Sequence, residues 1–297
     1  KTDRPSVEKQ TELDTLELIR LEQDTDFETL SDGCFSWQDQ LRPIVETLEG
    51  IGTGTRYSRW FDTNTFYKKP TINGKLSLGQ SDAKRFVRTD FLPASKPWKV
   101  SLVGPYTFSE LAENNHYKTK AELLTDLARS ENGIIRSLKA AGVSHFQLLE
   151  PCLVYRPHRE EALCGDELQN ALAALHRTVE GVEATFSVQT YFGDATAVLP
   201  DLLRLPVDEI GFDLFETDYT YSKIDTKKKL VLGIVDSRES NIEDPDWIAE
   251  TATRVSKHIA SDKTVLSPNS DLKFVPRKVA DAKARSLATA AKRLGEK

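Results

Sequence analysis

Four acidic residues stand at the ends of apolar runs, where a carboxylate could take part in proton transfer. They are Glu150, Asp194, Asp213 and Asp236. A carboxylate at the end of a buried strand can serve as a general acid or base when its surroundings adjust its pKa. We therefore treat these residues as candidate catalytic carboxylates, although the sequence assigns no single role to any of them.

The apolar runs that precede such residues predict seven strands. The predicted strands are Glu28–Ser31, Lys99–Val103, His145–Leu149, Ala184–Thr190, Glu209–Leu214, Lys229–Val235 and Thr264–Leu266. Most are nearly continuous in apolar residues, which is typical of parallel strands buried on both faces. Amphipathic stretches between them predict helices through Leu124–Leu138 and Leu168–Val179. A further helix is predicted to begin with Asp244 as its N-cap.

The alternation of strands and helices predicts a parallel sheet. Polar clusters at most strand ends favour a (β/α)8 TIM-type barrel, because the active sites of barrels lie where the carboxyl ends of the strands converge. A doubly wound open sheet is the alternative and usually has a glycine-rich turn after its first strand. Gly52–Gly54 is the only such stretch, and it follows no clear strand. We predict that residues 1–297 form a single barrel domain.

The composition narrows the classes of partner. The 297 residues carry a net charge of −6, which argues against binding to a nucleic-acid backbone as the main task. No stretch approaches the ~18 apolar residues of a membrane span, and no signal peptide opens the chain. Cys34, Cys152 and Cys164 show no CxxC spacing. We expect a cytoplasmic protein with a small-molecule substrate and no nucleic-acid or membrane partner.

Six motifs occur in an order that resembles the cobalamin-independent methionine synthase family. They are VGPYTFSELA (Val103–Ala112), FQLLEP (Phe146–Pro151), TYFGD (Thr190–Asp194), GFDL (Gly211–Leu214), LGIVDSR (Leu232–Arg238) and SPNSDLKFVP (Ser267–Pro276). RWFDTN at Arg59–Asn64, TYFGD and the VDSR turn are similar to the N-terminal, non-zinc barrel of that family in particular. The resemblance implies that this chain corresponds to one barrel of the family's pair.

The resemblance implies a methyltransferase that moves a methyl group from a folate-type donor to the sulfur of homocysteine. Zinc activates the thiol in this family, since coordination removes its proton. The resemblance places the family's His-x-Cys ligands at Gln189 and Tyr191, and its last cysteine ligand at Ser270. None of these is a good zinc ligand, and one carboxylate from Asp213 or Glu216 does not hold a catalytic zinc. We therefore expect no metal site in this chain.

The histidines offer no replacement ligands. They are His116, His145, His158, His176 and His258. Most fall in predicted helices or at strand starts, away from the strand ends where a barrel places its site. We expect each to be a surface or core residue.

The resemblance also indicates substrate-binding positions. These are Arg59, Asp62, Asn64, Glu150, Arg238 and Ser270. Arg59 replaces a lysine that contacts the polyglutamate tail of the folate in the family's N-terminal barrel, and the alternative is a surface arginine beside Trp60. Glu150 is what remains of the family's Asp-Glu-Pro triplet, and it either pairs with a substrate ammonium group or orients a neighbouring loop. For Asp62, Asn64, Asp236 and Arg238 we expect a part in the architecture of the rim, as an Asp–Arg network that fixes the loops, rather than in the chemistry.

Three functional hypotheses stay open. In the first, which we favour, this barrel binds a methyl donor while a separate zinc-bearing barrel chain of the family's C-terminal type activates homocysteine. The second is a stand-alone, zinc-independent methyltransferase with another donor or acceptor, and the third is a non-catalytic binding or scaffold protein. The donor could be a folate or a corrinoid protein. The family's first strand would precede Lys1, and the chain has no methionine, so we expect that strand to be missing from this sequence.

Overall fold

The computed structural model describes residues 4–80, 82–91, 93, 95–156, 162–220, 226–259 and 264–295. Its helices are α1 (Arg4–Asp24), α2 (Arg42–Thr47), α3 (Pro105–Leu111), α4 (Lys120–Ala140), α5 (Gly165–Val179), α6 (Leu199–Leu202), α7 (Pro245–Ile259) and α8 (Arg277–Gly295). Its strands are β1 (Leu48–Arg59), β2 (Phe66–Leu78), β3 (Lys99–Val103), β4 (Glu113–Asn114), β5 (His145–Leu149), β6 (Thr185–Gln189), β7 (Glu209–Asp213), β8 (Lys229–Val235) and β9 (Thr264–Pro268).

A six-stranded parallel sheet forms the centre of the molecule, in the order β3-β5-β6-β7-β8-β9. Each strand pairs with the next along the chain, and most of the crossovers between them carry a helix. This is the α/β, TIM-type arrangement that the sequence predicts. Six of the seven predicted strands are confirmed, and three of them have the predicted bounds.

The predicted strand at Glu28–Ser31 is wrong in extent. Only Leu30 joins the sheet, through a single parallel bridge to Trp98 beside β3. Directly after it, Gly33 and Cys34 have φ of +69° and +54°, which turns the backbone out of the extended conformation. The apolar pattern could not reveal this turn.

The sheet ends at Leu30 on one side and at β9 on the other. All residues of β9 are half-buried, whereas β5 and β7 are buried throughout. Within the described ranges no strand lies beyond β9. The described part of the chain is therefore an open arc of the barrel.

A long antiparallel hairpin of β1 and β2 was not predicted. It runs from Leu48, opposite Leu78, to Arg59, opposite Phe66, and contacts α4. Gly52–Gly54 lies inside β1, so it is not the turn between a first strand and a helix that a doubly wound sheet would require. Most of β1 is half-buried or exposed, and its apolar residues do not alternate, which explains why no strand pattern was visible.

The helix predictions are confirmed where the apolar periodicity is strong. Thr119 and Glu122 form a reciprocal capping box at the start of α4. Asp244 accepts the Asp246 N–H at 2.8 Å ahead of α7, as predicted for an N-cap. No helix of the described part is both long and apolar enough to cross a membrane.

Candidate functional site

The carboxyl ends of β7, β8 and β9 bring three predicted site residues together around Asn269, which was not predicted. Asn269 Nδ2 donates to Asp213 Oδ2 at 3.1 Å and to Asp236 Oδ1 at 3.3 Å. Its Oδ1 accepts from the Ser237 N–H at 3.0 Å and from the Ser237 hydroxyl at 2.8 Å. The Ser237 and Ser270 hydroxyls lie 2.5 Å apart. One fully buried amide therefore fixes the turns that follow three neighbouring strands.

Asp213 has the environment of a proton-transfer group. Its side chain is fully buried at the end of β7. Burial raises the pKa of Asp213 from 3.8 to about 6, against the opposing hydrogen bonds from the Phe215 and Phe192 N–H groups and from Asn269. A carboxyl with a pKa near neutrality can accept and return a proton, so Asp213 is the best placed of the four candidate carboxylates.

Two cations lie over aromatic rings at the same rim. The Arg238 guanidinium is 5.1 Å from the centre of the Phe192 ring, and Lys273 Nζ is 5.5 Å from that of Trp60 and 5.4 Å from that of Phe274. The Arg238 and Lys273 side chains are 34% and 36% exposed and so remain open to solvent, although Arg238 also pairs with Glu216 at 2.8 Å and Lys273 with Asp271 at 3.0 Å. This pairing of cations with aromatic faces suits a planar ligand that carries carboxylates.

The rings beneath these cations belong to a buried cluster at the tip of the β1–β2 hairpin. Phe61 lies 5.6 Å from Phe192 and 6.5 Å from Tyr191 between ring centres. Phe61 and Phe192 have φ of +49° and +71°, a left-handed conformation that is costly for bulky side chains. Such strain is typical of functional sites, and here both strained residues meet at the mouth of the barrel.

The residues that the resemblance places at zinc-ligand positions do not fit a zinc ion. The Gln189 amide lies over Gly211 and donates from Nε2 to the Thr190 carbonyl at 3.3 Å and the Asn269 carbonyl at 3.4 Å. Tyr191 is fully buried against Phe192, and Ser270 is engaged with Ser237. An amide, a buried phenol and a hydroxyl offer zinc none of its preferred thiolate or imidazole ligands.

The remaining potential ligands are dispersed. Among the described residues no three His, Cys, Asp or Glu side chains are grouped closely enough to hold a metal ion. His145 lies at the start of β5, 3.3 Å from Glu209, while His116 is exposed and His176 is in α5. His158 lies outside the described residues, as does the side chain of His258.

Glu150 is fully buried, and its carboxylate binds backbone N–H groups instead of facing the solvent. Its carboxylate accepts the Tyr106 N–H at 2.9 Å and the Thr107 N–H at 2.7 Å, at the start of α3. Burial raises the pKa of Glu150 to about 7, which the hydrogen bonds from Thr107 and Tyr106 partly oppose. This geometry supports the loop-orienting interpretation of Glu150 over a salt bridge to a substrate.

Four predicted site residues are exposed and lie outside the Asn269 network. Arg59 is exposed, with its guanidinium 5.9 Å from the centre of the Phe66 ring. Asp62 is exposed and accepts a hydrogen bond from the Tyr155 hydroxyl, and Asn64 is exposed in the same turn. Asp194 accepts the Thr196 N–H at 2.9 Å within its own loop. Arg238, in contrast, joins the rim by ion pairs to Glu216 at 2.8 Å and Asp236 at 3.5 Å.

Sequence reasoning missed Asn269, Lys273 and Phe192 as parts of the site. All three stand inside clusters that were recognised, TYFGD and SPNSDLKFVP, so their position at strand ends was a usable signal. What the sequence lacked was the pairing, because Asn269 contacts Asp213 across 56 positions of the chain.

The chain is similar in sequence to known proteins. Residues 52–260 match the family model described as "Cobalamin-independent synthase, N-terminal domain". The methionine synthase of Sulfolobus acidocaldarius is 25% identical over 268 residues, which cover 89% of this chain and 76% of the relative. The methionine synthase of Saccharolobus solfataricus is 29% identical over 270 residues, which cover 86% and 76%.

A solved structure shows the same fold. The B12-independent methionine synthase of Shewanella sp. W3-18-1, in complex with selenomethionine, superposes with a TM-score of 0.82 at 21% identity. The match covers 95% of this chain and 86% of that chain. Since the family model spans more than half of the sequence, the chain belongs to the cobalamin-independent synthase family and corresponds to its N-terminal domain.

Proposed function

We propose that this chain is the donor-holding component of a methionine-synthase-like methyltransferase, which transfers a methyl group from a folate-type donor to homocysteine. The observation that carries the proposal is the rim pair Arg238 and Lys273 above the Trp60, Phe192 and Phe274 rings. A folate-type donor combines a planar ring system with carboxylates, and this rim offers a partner for each.

The second part of the proposal is a division of labour with another chain. Methyl transfer forms a carbon–sulfur bond while the bond from the methyl carbon to the donor breaks, and the thiol must first lose its proton. Gln189, Tyr191 and Ser270 are not suited to hold the zinc ion that would activate a thiol. We therefore assign that step to a separate zinc-bearing barrel chain, the partner that supplies the thiolate.

Reconstitution tests the proposal. The purified chain, a zinc-bearing barrel chain of the same family and their equimolar mixture are each given methyltetrahydrofolate triglutamate and homocysteine. We expect the mixture to form methionine at a rate well above the sum of the two separate rates. Methionine formation by this chain alone, without metal, would instead establish a stand-alone enzyme.

Measurements of donor binding and of metal content test whether this chain holds the donor and lacks zinc. We expect calorimetry to detect binding of the triglutamate to this chain, and expect the variant Arg238→Ala to weaken it. Arg204→Ala is the control, because Arg204 is 78% exposed in a different loop. Stoichiometric zinc in the purified chain, or no donor binding with or without the partner, would overturn the proposal.

A further inference from the structure

Two exposed surfaces of this chain have complementary charge and matching aromatic content. The first, the hairpin face, is the outer side of β1 and β2 around Tyr57, Arg59, Phe66 and Lys68. Tyr57 is 67% exposed and Phe66 is 55% exposed. Large exposed aromatic side chains beside arginine are typical of protein interfaces.

The strand register fixes the arrangement of the hairpin face. Arg59 stands opposite Phe66, and two positions further along Tyr57 stands opposite Lys68, so all four lie on the same face of the hairpin. Each cation lies over the opposite ring, at 5.9 Å for Arg59 and 5.6 Å for Lys68. Residues 48–78 contain five Lys and Arg and two acids, a net charge of +3 on a chain of −6.

The cations of the hairpin are not neutralised by their surroundings. They are Arg56, Arg59, Lys68, Lys69 and Lys75. In the described part of the chain, none of these side chains forms an ion pair. The hairpin as a whole therefore carries uncompensated positive charge, to which Arg59 and Lys68 contribute on the hairpin face.

The second surface, the acidic face, is formed by Phe215 after β7, Trp247 in the first turn of α7 and the acidic residues around them. The Phe215 and Trp247 rings are stacked with centres 6.4 Å apart, and they are 44% and 42% exposed. Residues 239–250 contain five acidic residues and no Lys or Arg. Among these, Glu239, Asp244 and Glu250 have no ion-pair partner within the described ranges.

We propose that the hairpin face of one copy of this chain binds the acidic face of a second copy. In the described residues of a single chain, no hydrogen bond, ion pair or ring contact joins the two faces. Opposite charges around exposed aromatic side chains favour encounter and orient it. Two different surfaces meet in this contact, so it is heterologous, and the bound pair still presents one free hairpin face and one free acidic face. This inference does not depend on the proposed methyl transfer.

Complementary variants provide the decisive experiment. Arg59→Gln/Lys68→Gln neutralises the hairpin face and leaves the acidic face intact, while Glu239→Gln/Glu250→Gln does the converse. Each variant alone retains no matched pair of faces and should sediment as a monomer. An equimolar mixture retains one intact hairpin face and one intact acidic face, so it should form a dimer of twice the 33.4 kDa chain mass.

The wild-type chain and matched charge changes complete the test. Wild-type protein should self-associate in a concentration-dependent way at about 20 mM salt and dissociate at about 500 mM salt, because screening weakens exposed pairs. Arg129→Gln/Arg204→Gln makes the same charge change at exposed sites outside both faces and should associate like wild type. Wild-type protein that stays monomeric at low salt, a mixture that stays monomeric, or control variants that lose association would each overturn the proposal.

Discussion

Lys283 in α8 holds Glu243 in the loop after β8 by two hydrogen bonds, of 2.9 and 2.8 Å to its two carboxylate oxygens. The Lys283 side chain is fully buried. The same Glu243 carboxylate accepts the Asp236 N–H at 2.8 Å, directly at the rim turn that carries Arg238. A buried lysine on a helix therefore positions a turn of the candidate site.

This relationship predicts the effect of Lys283→Met. The change leaves Glu243 without its buried partner, and breaking such a pair typically costs about 3 kcal/mol or more in the free energy of unfolding. Urea denaturation measures the loss, and Lys278→Met, at an exposed position of α8, is the control that should change little. Equal stability of the two variants would show that Lys283 does not anchor the turn.

Asp213 predicts a pH dependence of stability. Its pKa is raised from 3.8 to about 6 in the folded protein, so the unfolded state loses this proton first. The contribution of Asp213 to stability is therefore fully present below about pH 4 and is lost as the pH rises through about 6, by about 3 kcal/mol in all.

The variant Asp213→Asn isolates this effect from other titrating groups. The difference in unfolding free energy between wild type and variant should move in favour of the variant between about pH 4 and pH 7, and then level off. Urea midpoints at several pH values measure it. A difference that stays constant over this range would mean that Asp213 titrates normally in the folded protein.

The sequence predicts the sheet well and the hairpin not at all. Lys99–Val103, His145–Leu149 and Lys229–Val235 have the predicted bounds because apolar residues dominate all three, and the last two are almost completely buried. The β1 and β2 strands are partly solvent-exposed, and β1 contains three glycines, so no apolar alternation marks them. Their pairing depends on contacts rather than on local preference.

Some residues of the candidate site could be predicted from the sequence and others could not. Asp213, Asp236, Arg238 and Ser270 could be predicted, because the ends of parallel strands must meet at one edge. Lys283 carries no such signal, since a lysine on an amphipathic helix is usually exposed. Only the fold places it under the loop after β8.

A side chain introduced at Gly211 should collide with the Gln189 amide, so a substitution there tests the position of Gln189. A Cβ at Gly211 would overlap the Gln189 side chain, which occupies the position of a family zinc ligand. Gly211→Ala should destabilise the fold by about 1–3 kcal/mol, as overpacking usually does. Gly52→Ala is the control, because a Cβ at Gly52 meets nothing within 4 Å.

A double-mutant cycle identifies the cause of that loss. In a Gln189→Ala background the added methyl group has room, so Gly211→Ala should cost much less there than in the wild-type background. Thermal or urea unfolding of the four proteins gives the coupling. Additive costs would place the Gln189 side chain elsewhere than over Gly211.

We predict that Arg59 contacts the polyglutamate tail of the donor. It is exposed near the tip of the hairpin, two positions from Phe61 in the barrel mouth, so a donor held at the rim could extend its carboxylates toward it. Arg59→Ala should weaken binding of methyltetrahydrofolate triglutamate about threefold to fivefold, the usual size of an exposed ion pair, and leave binding of the monoglutamate unchanged.

Arg56→Ala, which changes an exposed arginine on the same strand, is the control. The measurement is made at low salt and at a protein concentration low enough to keep the protein monomeric, because only then does a loss of affinity report on the tail and not on a second copy. Identical affinities of wild type and Arg59→Ala for both ligands would remove Arg59 from the donor site.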